Sequence, residues 1–464
     1  MFKKILIIIG ILIIIAVIVL GFFFRVSTNE QGTPTVNQIR EFKPFDRKPS
    51  GQGGGTDTTP IPGQDNPPVD EPIDTEPITK NLPKLRKLST TPVIGYTTFT
   101  RDREKIIPPS PSQLFVTEAP KEIEDGTTEG KSTLGEKDVP VTETPKPKTV
   151  IEKVLTIRFI EKTTGNIFDI DSDQEEIRTT SETIVALAEE ALTANLGNTI
   201  LFRYINTSND IESFLANIIK PTGSATKNSL SGSFLPKNTK TVAITREGDV
   251  LFYMQPYGEG ITATTMSLKT KKKVQIFESP FTEWNAGWSN NKTVIIATKP
   301  SAYAEGYAYS INTDTKALKK ILGEIFGLTV LVSPNNKQVI YSESGNQTFT
   351  TKLLLTDTNI SSSFSVKTLP EKCVWSKDSV TVYCAVPASI PKGAYPDDWY
   401  QGTVTFSDAI WKINQKTNVA TLLVNPQEVV QVSLDIENIK LSDNEDYLIF
   451  RNKNDLMLWG YSLK

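Results

Sequence analysis

Short runs of Val, Ile, Leu, Phe, Tyr and Thr alternate with turns rich in Asn, Asp, Gly and Ser from about residue 84 to the end of the chain. Five of these stretches superimpose: "ITREGDVLFYM", "GWSNNKTVIIAT", "VSPNNKQVIYSE", "VWSKDSVTVYCA" and "LSDNEDYLIFRN". Each carries a Ser or Thr, a polar turn and then an apolar run. The steps Thr245 to Ser289, Ser289 to Ser333 and Ser333 to Ser376 are 44, 44 and 43 residues. The next step, to Ser442, is 66 residues, because "PASIPKGAYPDDWYQG" intervenes. A period in the low forties with several strands per unit predicts propeller blades. Strands apolar on both faces suit the middle of a blade, which packs between two neighbours. A helical repeat is disfavoured, because β-branched and aromatic residues fill the runs and turns interrupt them before a helical stripe develops.

The turn pattern predicts an all-β, seven-bladed propeller over residues 83–464. The first blade starts at "PVIGYTTF" (Pro92–Phe99) and resumes with "VLTIRFIE", "NIFDID" and "EIRTT". The second uses "IVALAEEAL", "TILFRYI" and "IESFLANI". The third is expected from about Ser231, the fourth from Phe281, the fifth from Ile325 and the sixth from Lys372. The last blade ends at "DLMLWGYSL" with three strands, and "KLRKLST" (Lys84–Thr90) is expected to supply the fourth. Such pairing closes the ring and removes a sheet edge.

The W-S-x-D hairpins followed by apolar strands resemble TolB-type, WD-related propeller repeats. The fuller pattern runs through "LRKLSTTPVIGYTTF", "IRFIEKTTGNIFDI", "GSFLPKNT", "LPEKCVWSKDSVTVYCAVP" and "YPDDWYQGTVTFSDAIWKI". It is similar to a family of single-span, membrane-anchored propeller proteins of candidate-phylum bacteria, over roughly residues 84–464. That resemblance implies the fold and carries no activity or functional residue to transfer.

The hydrophobic pattern changes character upstream. "ILIIIGILIIIAVIVLGFFF", Ile5–Phe24, is uncharged and apolar all round. Twenty residues at about 1.5 Å each match a bilayer core of roughly 30 Å. It lacks the short apolar core and small-residue exit of a cleaved signal peptide. Lys3 and Lys4 before it favour a cytoplasmic N-terminus. Residues 1–25 are therefore expected to be a signal anchor, placing the propeller outside a cell membrane. Residues 26–82, rich in Pro, Gly and Thr, read as a disordered stalk, and about 101–150 as a disordered insertion.

Composition narrows the chemistry. Hydrophobic residues make up 38% of the chain, net charge is −3, and histidine is absent. A basic footprint for nucleic acid is missing. Without histidine there is no Ser-His-Asp or Cys-His nucleophile and no imidazole metal ligand. No cofactor or metal is expected. Carboxylates could serve a glycan hydrolase, but Asp397 and Asp398 are adjacent and cannot easily flank one bond. "SESGNQTF" (Ser342–Phe349) lacks the Asp of a sialidase Asp-box. Asp171, Asp173, Glu175 and Glu182 approach calcium-loop spacing, yet Glu176 stands where the loop requires Gly, so an acidic solvated hairpin is expected.

Loops after the second and fourth strands of a blade share one face of the disc. There the chain places Tyr257, Trp284, Tyr303, Tyr307, Tyr395, Asp397, Asp398, Trp399 and Tyr400. Aromatic platforms beside carboxylates suit a peptide or glycan, although such rings also pack loop on loop. A non-catalytic binding module for an envelope or extracellular protein, peptide or glycan is expected, with the glycan hydrolase as the alternative. The only cysteines, Cys373 and Cys384, fall directly opposite each other if the hairpin turns between Asp378 and Ser379, so a disulfide is expected.

Overall fold

The computed structural model describes residues 82–107, 148–181, 183–221 and 227–464. The apolar run, the stalk and most of the expected insertion lie outside the described residues. Among those described, no helix is long and apolar enough to cross a membrane.

Seven four-stranded antiparallel sheets follow one another along the chain. Blade 1 is built from Val93–Ile107, Lys148–Glu161, Ile167–Asp171 and Ile177–Ser181. Blades 2 to 6 begin at Glu190, Thr241, Trp284, Val330 and Cys373. Blade 7 combines Ile436–Leu441, Tyr447–Asn452 and Leu458–Ser462 with the N-terminal strand Leu85–Lys87. In that closure Leu85 pairs with Tyr461, Arg86 with Gly460 and Lys87 with Trp459. The Arg86 guanidinium then donates to the carbonyls of Gln174, Asp171 and Ser172 at 2.6, 3.1 and 3.0 Å, tying the closing strand to blade 1.

The sequence repeat corresponds to the hairpin between the first and second strands of a blade. Its Ser or Thr makes the turn: the Thr245 hydroxyl accepts from the amides of Asp249 and Val250 at 3.2 and 3.1 Å. Ser442 accepts from Asp446 and Tyr447 at the same distances. Three residues further on, Gly248, Asn336, Ser379 and Glu445 have φ of 72°, 59°, 56° and 57°, the left-handed step that reverses the chain. A side-chain acceptor followed by a left-handed residue is what recurs, and only once is that residue glycine.

The core consists of one apolar cluster between each pair of neighbouring blades. Phe202 and Ile160 seal blades 1 and 2, Leu201 and Leu251 blades 2 and 3, and Phe252 and Ile296 blades 3 and 4. Ile295 and Val339 join blades 4 and 5, and Ile340 and Val382 blades 5 and 6. Ile410 and Phe450 join blades 6 and 7, and Ile157 and Ile449 close blade 7 on blade 1. Each such fully buried side chain contributes about 1.5–3 kcal/mol. Near the axis the wedge narrows: a Cβ on Gly95 would lie 2.1 Å from the Ala191 carbonyl oxygen, so only glycine fits.

Four expectations need correction. Blade 5 starts at Val330, not at Ile325, because Leu318–Phe326 pairs with Glu305–Asn312 as the outer strand of blade 4. Blade 3 starts at Thr241, not near Ser231, because Ser229–Phe234 pairs with Ile211–Ile219 as the outer strand of blade 2. Blade 2 opens at Glu190, and "IVALAE" before it is a connection. The first hairpin of blade 1 extends past the expected edges of the insertion, with pairing continuous to Ile107 opposite Lys148. Alternate charged residues extend it: Arg103 holds Glu152 (2.9 Å) and Asp173 (3.0 Å) across the strands.

Candidate functional site

The inner strands of all seven blades face a central channel with a chamber at each end. The upper chamber, about 470 Å³, lies on the face of the loops after the second and fourth strands. Its wall includes Glu190, Lys240, Trp284, Gly287, Leu331 and Glu371. The lower chamber, about 290 Å³, is bordered by the turns between first and second strands and holds Lys440, Arg246 and Thr97. Trp288 borders both.

Most charges around the upper chamber are matched within the protein. Arg203 meets Glu190 at 2.6 Å and donates to the carbonyls of Thr239 and Lys240. Lys240 pairs with Glu283. Glu371 is different: its carboxylate accepts from the Tyr400 hydroxyl, and no described cation forms an ion pair with it. Burial, more than the neighbouring Glu437, pushes its carboxyl up to about 7. Burial and the adjoining carboxylate likewise raise the Tyr400 hydroxyl. In the lower chamber Lys440 donates to the Tyr96 carbonyl at 2.8 Å and sits 4.7 Å above that ring. Burial, then the Arg451 charge, lowers its ammonium to about 8.

A roof built from the long blade 6 loop covers part of the upper face. Its core is Phe349, Leu369, Tyr395, Trp399 and Phe406. Tyr395 stacks on Phe406 (6.0 Å) and meets Phe349 of blade 5 edge-on (5.0 Å). Asp397 accepts from the Ala302 amide of blade 4 at 2.6 Å, so the loop reaches across blade 5. Asp398 accepts from the Ala394 amide at 2.7 Å.

Under this roof lies a fully buried lysine. Lys372 Nζ donates to Asp435 Oδ1 (2.6 Å), to the Ile436 carbonyl (2.7 Å) and to Asp408 Oδ2 (2.9 Å). Three ammonium protons thus meet three acceptors, with the Trp399 and Phe406 rings 4.7 and 5.1 Å away. Asp435 also receives the Trp399 indole N–H at 3.0 Å and the Phe406 amide at 3.1 Å. Asp408 receives the Ile436 amide at 2.7 Å, while its Oδ1 is buried without a partner. Burial exceeds the stabilising effect of Lys372 and pushes Asp408 up to about 6.

The nine residues expected on the ligand face therefore separate. Tyr395 (0% exposed), Trp399 (4%) and Trp284 (7%) are packing groups. Trp284 is wedged edge-on against Phe277 and Tyr309 and donates its indole N–H to the Phe281 carbonyl. Asp397 ties the roof to the Ala302 amide of blade 4, and Asp398 holds the Ala394 amide within the roof. Tyr257, Tyr303 and Tyr400 remain exposed, and Tyr307 is half-buried beneath Lys320. Only Tyr400 touches Glu371. Sequence reasoning passed over Glu371, Lys372, Asp408 and Asp435. A usable signal existed: Asp408 opens one apolar strand and Asp435 directly precedes another, where a carboxylate must find a buried partner.

Two further expectations are settled by geometry. Cys373 and Cys384 are directly paired across the first hairpin of blade 6 and joined by a disulfide, with Cα atoms 4.1 Å apart. Asp171 is not solvated. Arg101 grips it at 2.6 and 3.2 Å, Arg178 at 2.8 and 3.1 Å, and Thr156 donates at 2.7 Å. Burial alone would raise this carboxyl, but those hydrogen bonds hold it well below the usual range. With Arg103 also donating at 3.3 Å, three arginines fill the space around the carboxylate that a calcium ion would need. Glu182 lies outside the described residues.

No family model matches the chain, and no curated protein matches it. Among solved structures it is similar to oligogalacturonate lyase from Vibrio parahaemolyticus, at 9% identity and TM-score 0.41, covering 67% of this chain and 86% of the other. It is similar to TolB from Acinetobacter baumannii at 10% identity and TM-score 0.35, covering 66% and 76%. The β-propeller domain of the Trilobed protease from Pyrococcus furiosus aligns at 10% identity and TM-score 0.39, covering 57% and 77%.

Proposed function

We propose that this chain holds a β-propeller outside the cell membrane on an N-terminal anchor and stalk, as a non-catalytic binding module for an envelope or extracellular protein, peptide or glycan. The ligand enters the upper chamber. The observation behind this reading is the form of that chamber: about 470 Å³ of space at the end of the channel, walled by polar and apolar groups alike, with Tyr400 exposed at Glu371. That volume falls in the range of ligand pockets. Asp397 and Asp398, the adjacent carboxylates of the blade 6 loop, are engaged with the backbone amides of Ala302 in blade 4 and Ala394 in the roof.

The test is a screen of purified full-length protein against peptide and glycan arrays, with product analysis of every binder. Saturable binding without turnover is the expected result. Turnover abolished by a single Asp or Glu substitution would sink the binding-module reading.

A further inference from the structure

We propose that the upper chamber recognises an extended peptide carrying a lysine or arginine, whose basic side chain sits on Glu371 while its backbone runs along the inner strand of blade 4. This rests on the binding-module reading and names its ligand class.

The charge distribution points to a cation. Glu190 and Lys240 on the same wall are paired to Arg203 and Glu283, so Glu371 is the charge without an ionic partner among the described residues of the chamber. Its neighbour Lys372 cannot serve, since its three protons are directed into the buried Asp408–Asp435 pair. A carboxylate removed from bulk water and left unpaired gains most when a cation arrives. Tyr400 donates to the carboxylate and packs beside Trp399, their ring centroids 5.6 Å apart. Aromatic faces near a carboxylate favour ammonium and guanidinium groups further.

The blade edges point to a peptide rather than a sugar. Trp284–Asn290 is the terminal strand of its sheet and pairs only with Thr293–Thr298, so beyond the Trp284 carbonyl, which the Thr241 hydroxyl holds at 2.6 Å, its other edge opens on the channel. Unpaired backbone groups on a strand edge accept an extended chain by strand addition. Gly287, midway along this strand, is exposed, and a Cβ there would meet nothing within 4 Å. An incoming backbone therefore has room at that point. Gly287 and Glu371 line the same chamber, so one short peptide can reach both.

The experiment uses full-length protein in detergent and an array of hexapeptides. One position is varied among Lys, Arg, acetyl-lysine, citrulline and Glu, and deacetylated amino-glycans are spotted alongside. Lys and Arg peptides are expected to bind, with affinity about tenfold or more weaker for the neutral isosteres and for Glu371→Gln. Glu371→Asp should retain part of the binding. Asp357→Asn, the same charge change at an exposed outer turn, should leave it unaltered. Thermal melts of each variant confirm folding. Peptide binding that ignores the basic residue and survives Glu371→Gln would overturn this inference and leave the binding-module reading standing. Binding of amino-glycans but no peptide would also overturn it. Failure of both arrays to bind the wild-type chain would remove the binding-module reading as well.

Discussion

Replacing Lys372 by methionine keeps the length of the side chain and its contact with the Trp399 and Phe406 rings, and removes the charge. Two buried carboxylates then face each other without a cation. Asp435 keeps the Trp399 indole and the Phe406 amide; Asp408 keeps only the Ile436 amide, and its second oxygen already lacks a partner. Breaking a buried ion pair from one side costs about 3–5 kcal/mol. At about 2 °C per kcal/mol for a chain this large, the melting midpoint should fall by about 6–10 °C. The loss should depend on pH, and its sign follows from Asp408. Its folded pKa, about 6, exceeds the unfolded value of 3.8, so the protonated form is favoured by folding. Its contribution is complete below the unfolded value and is lost as pH rises through the folded one. Removing Lys372 raises the folded value further. One carboxyl can then take a proton at about pH 5, and the penalty is larger near pH 8. Differential scanning calorimetry at both pH values measures this, and near-ultraviolet circular dichroism reports whether Trp399 leaves its site. A midpoint shift below about 2 °C near pH 8, or one no smaller at acid pH, would refute the picture of a lysine balancing two aspartates.

Three further outcomes can be checked. Glu371→Gln removes a half-buried charge whose folded pKa is raised from 4.5 to about 7, so the variant should match wild type in acid. It should be more stable above neutral pH, by at most about 3 kcal/mol, measured as the difference between two melting curves against pH. The double substitution Cys373→Ala, Cys384→Ala opens a short loop and should cost about 2–3 kcal/mol in denaturant unfolding; no change would mean the bond does not form in the protein. Leu85→Asp places a charge in the cluster between blades 6 and 7. Hydrogen exchange should show lost amide protection over Leu458–Ser462 if the N-terminal strand closes the ring, and protection retained there would argue against closure.

The fold was legible because blade architecture repeats a local rule. A Ser or Thr whose hydroxyl bonds the turn backbone, in four of the five repeats a left-handed residue three positions on, and an apolar strand together form a unit that can be counted along the chain. Counting placed the hairpins, the disulfide pairing and the closing strand. It failed at Ser231, where "SLSGSF" has no apolar run because an outer blade strand is largely solvated; its burial alternates only at Leu230. It failed again at Arg101–Ile107, where charged residues in alternation suggest disorder until their cross-strand partners Glu152 and Asp173 are known.

The site was legible only in part, for a different reason. Exposed aromatic loops and buried aromatic roofs have the same composition, and what separates them is the group beneath. Trp399 is fixed because Asp435 receives its indole, and Asp435 is tolerable there because Lys372 balances it. That lysine precedes Cys373 by one residue, and Glu371 precedes it by one more. Burial of the lysine side chain under the roof leaves the glutamate on the channel wall without its nearest cation. The same short connection into blade 6 thus anchors the roof with one residue and leaves an unbalanced carboxylate in the chamber with the other. Such a division cannot be read from "LPEKC", since it depends on two aspartates 36 and 63 residues further along the chain. If the chamber does receive a basic side chain, the affinity of Glu371 for it and the stability of the roof are linked through this single peptide bond. Lys372→Met should then weaken peptide binding as well as stability, because a loosened roof no longer holds Tyr400 against the carboxylate.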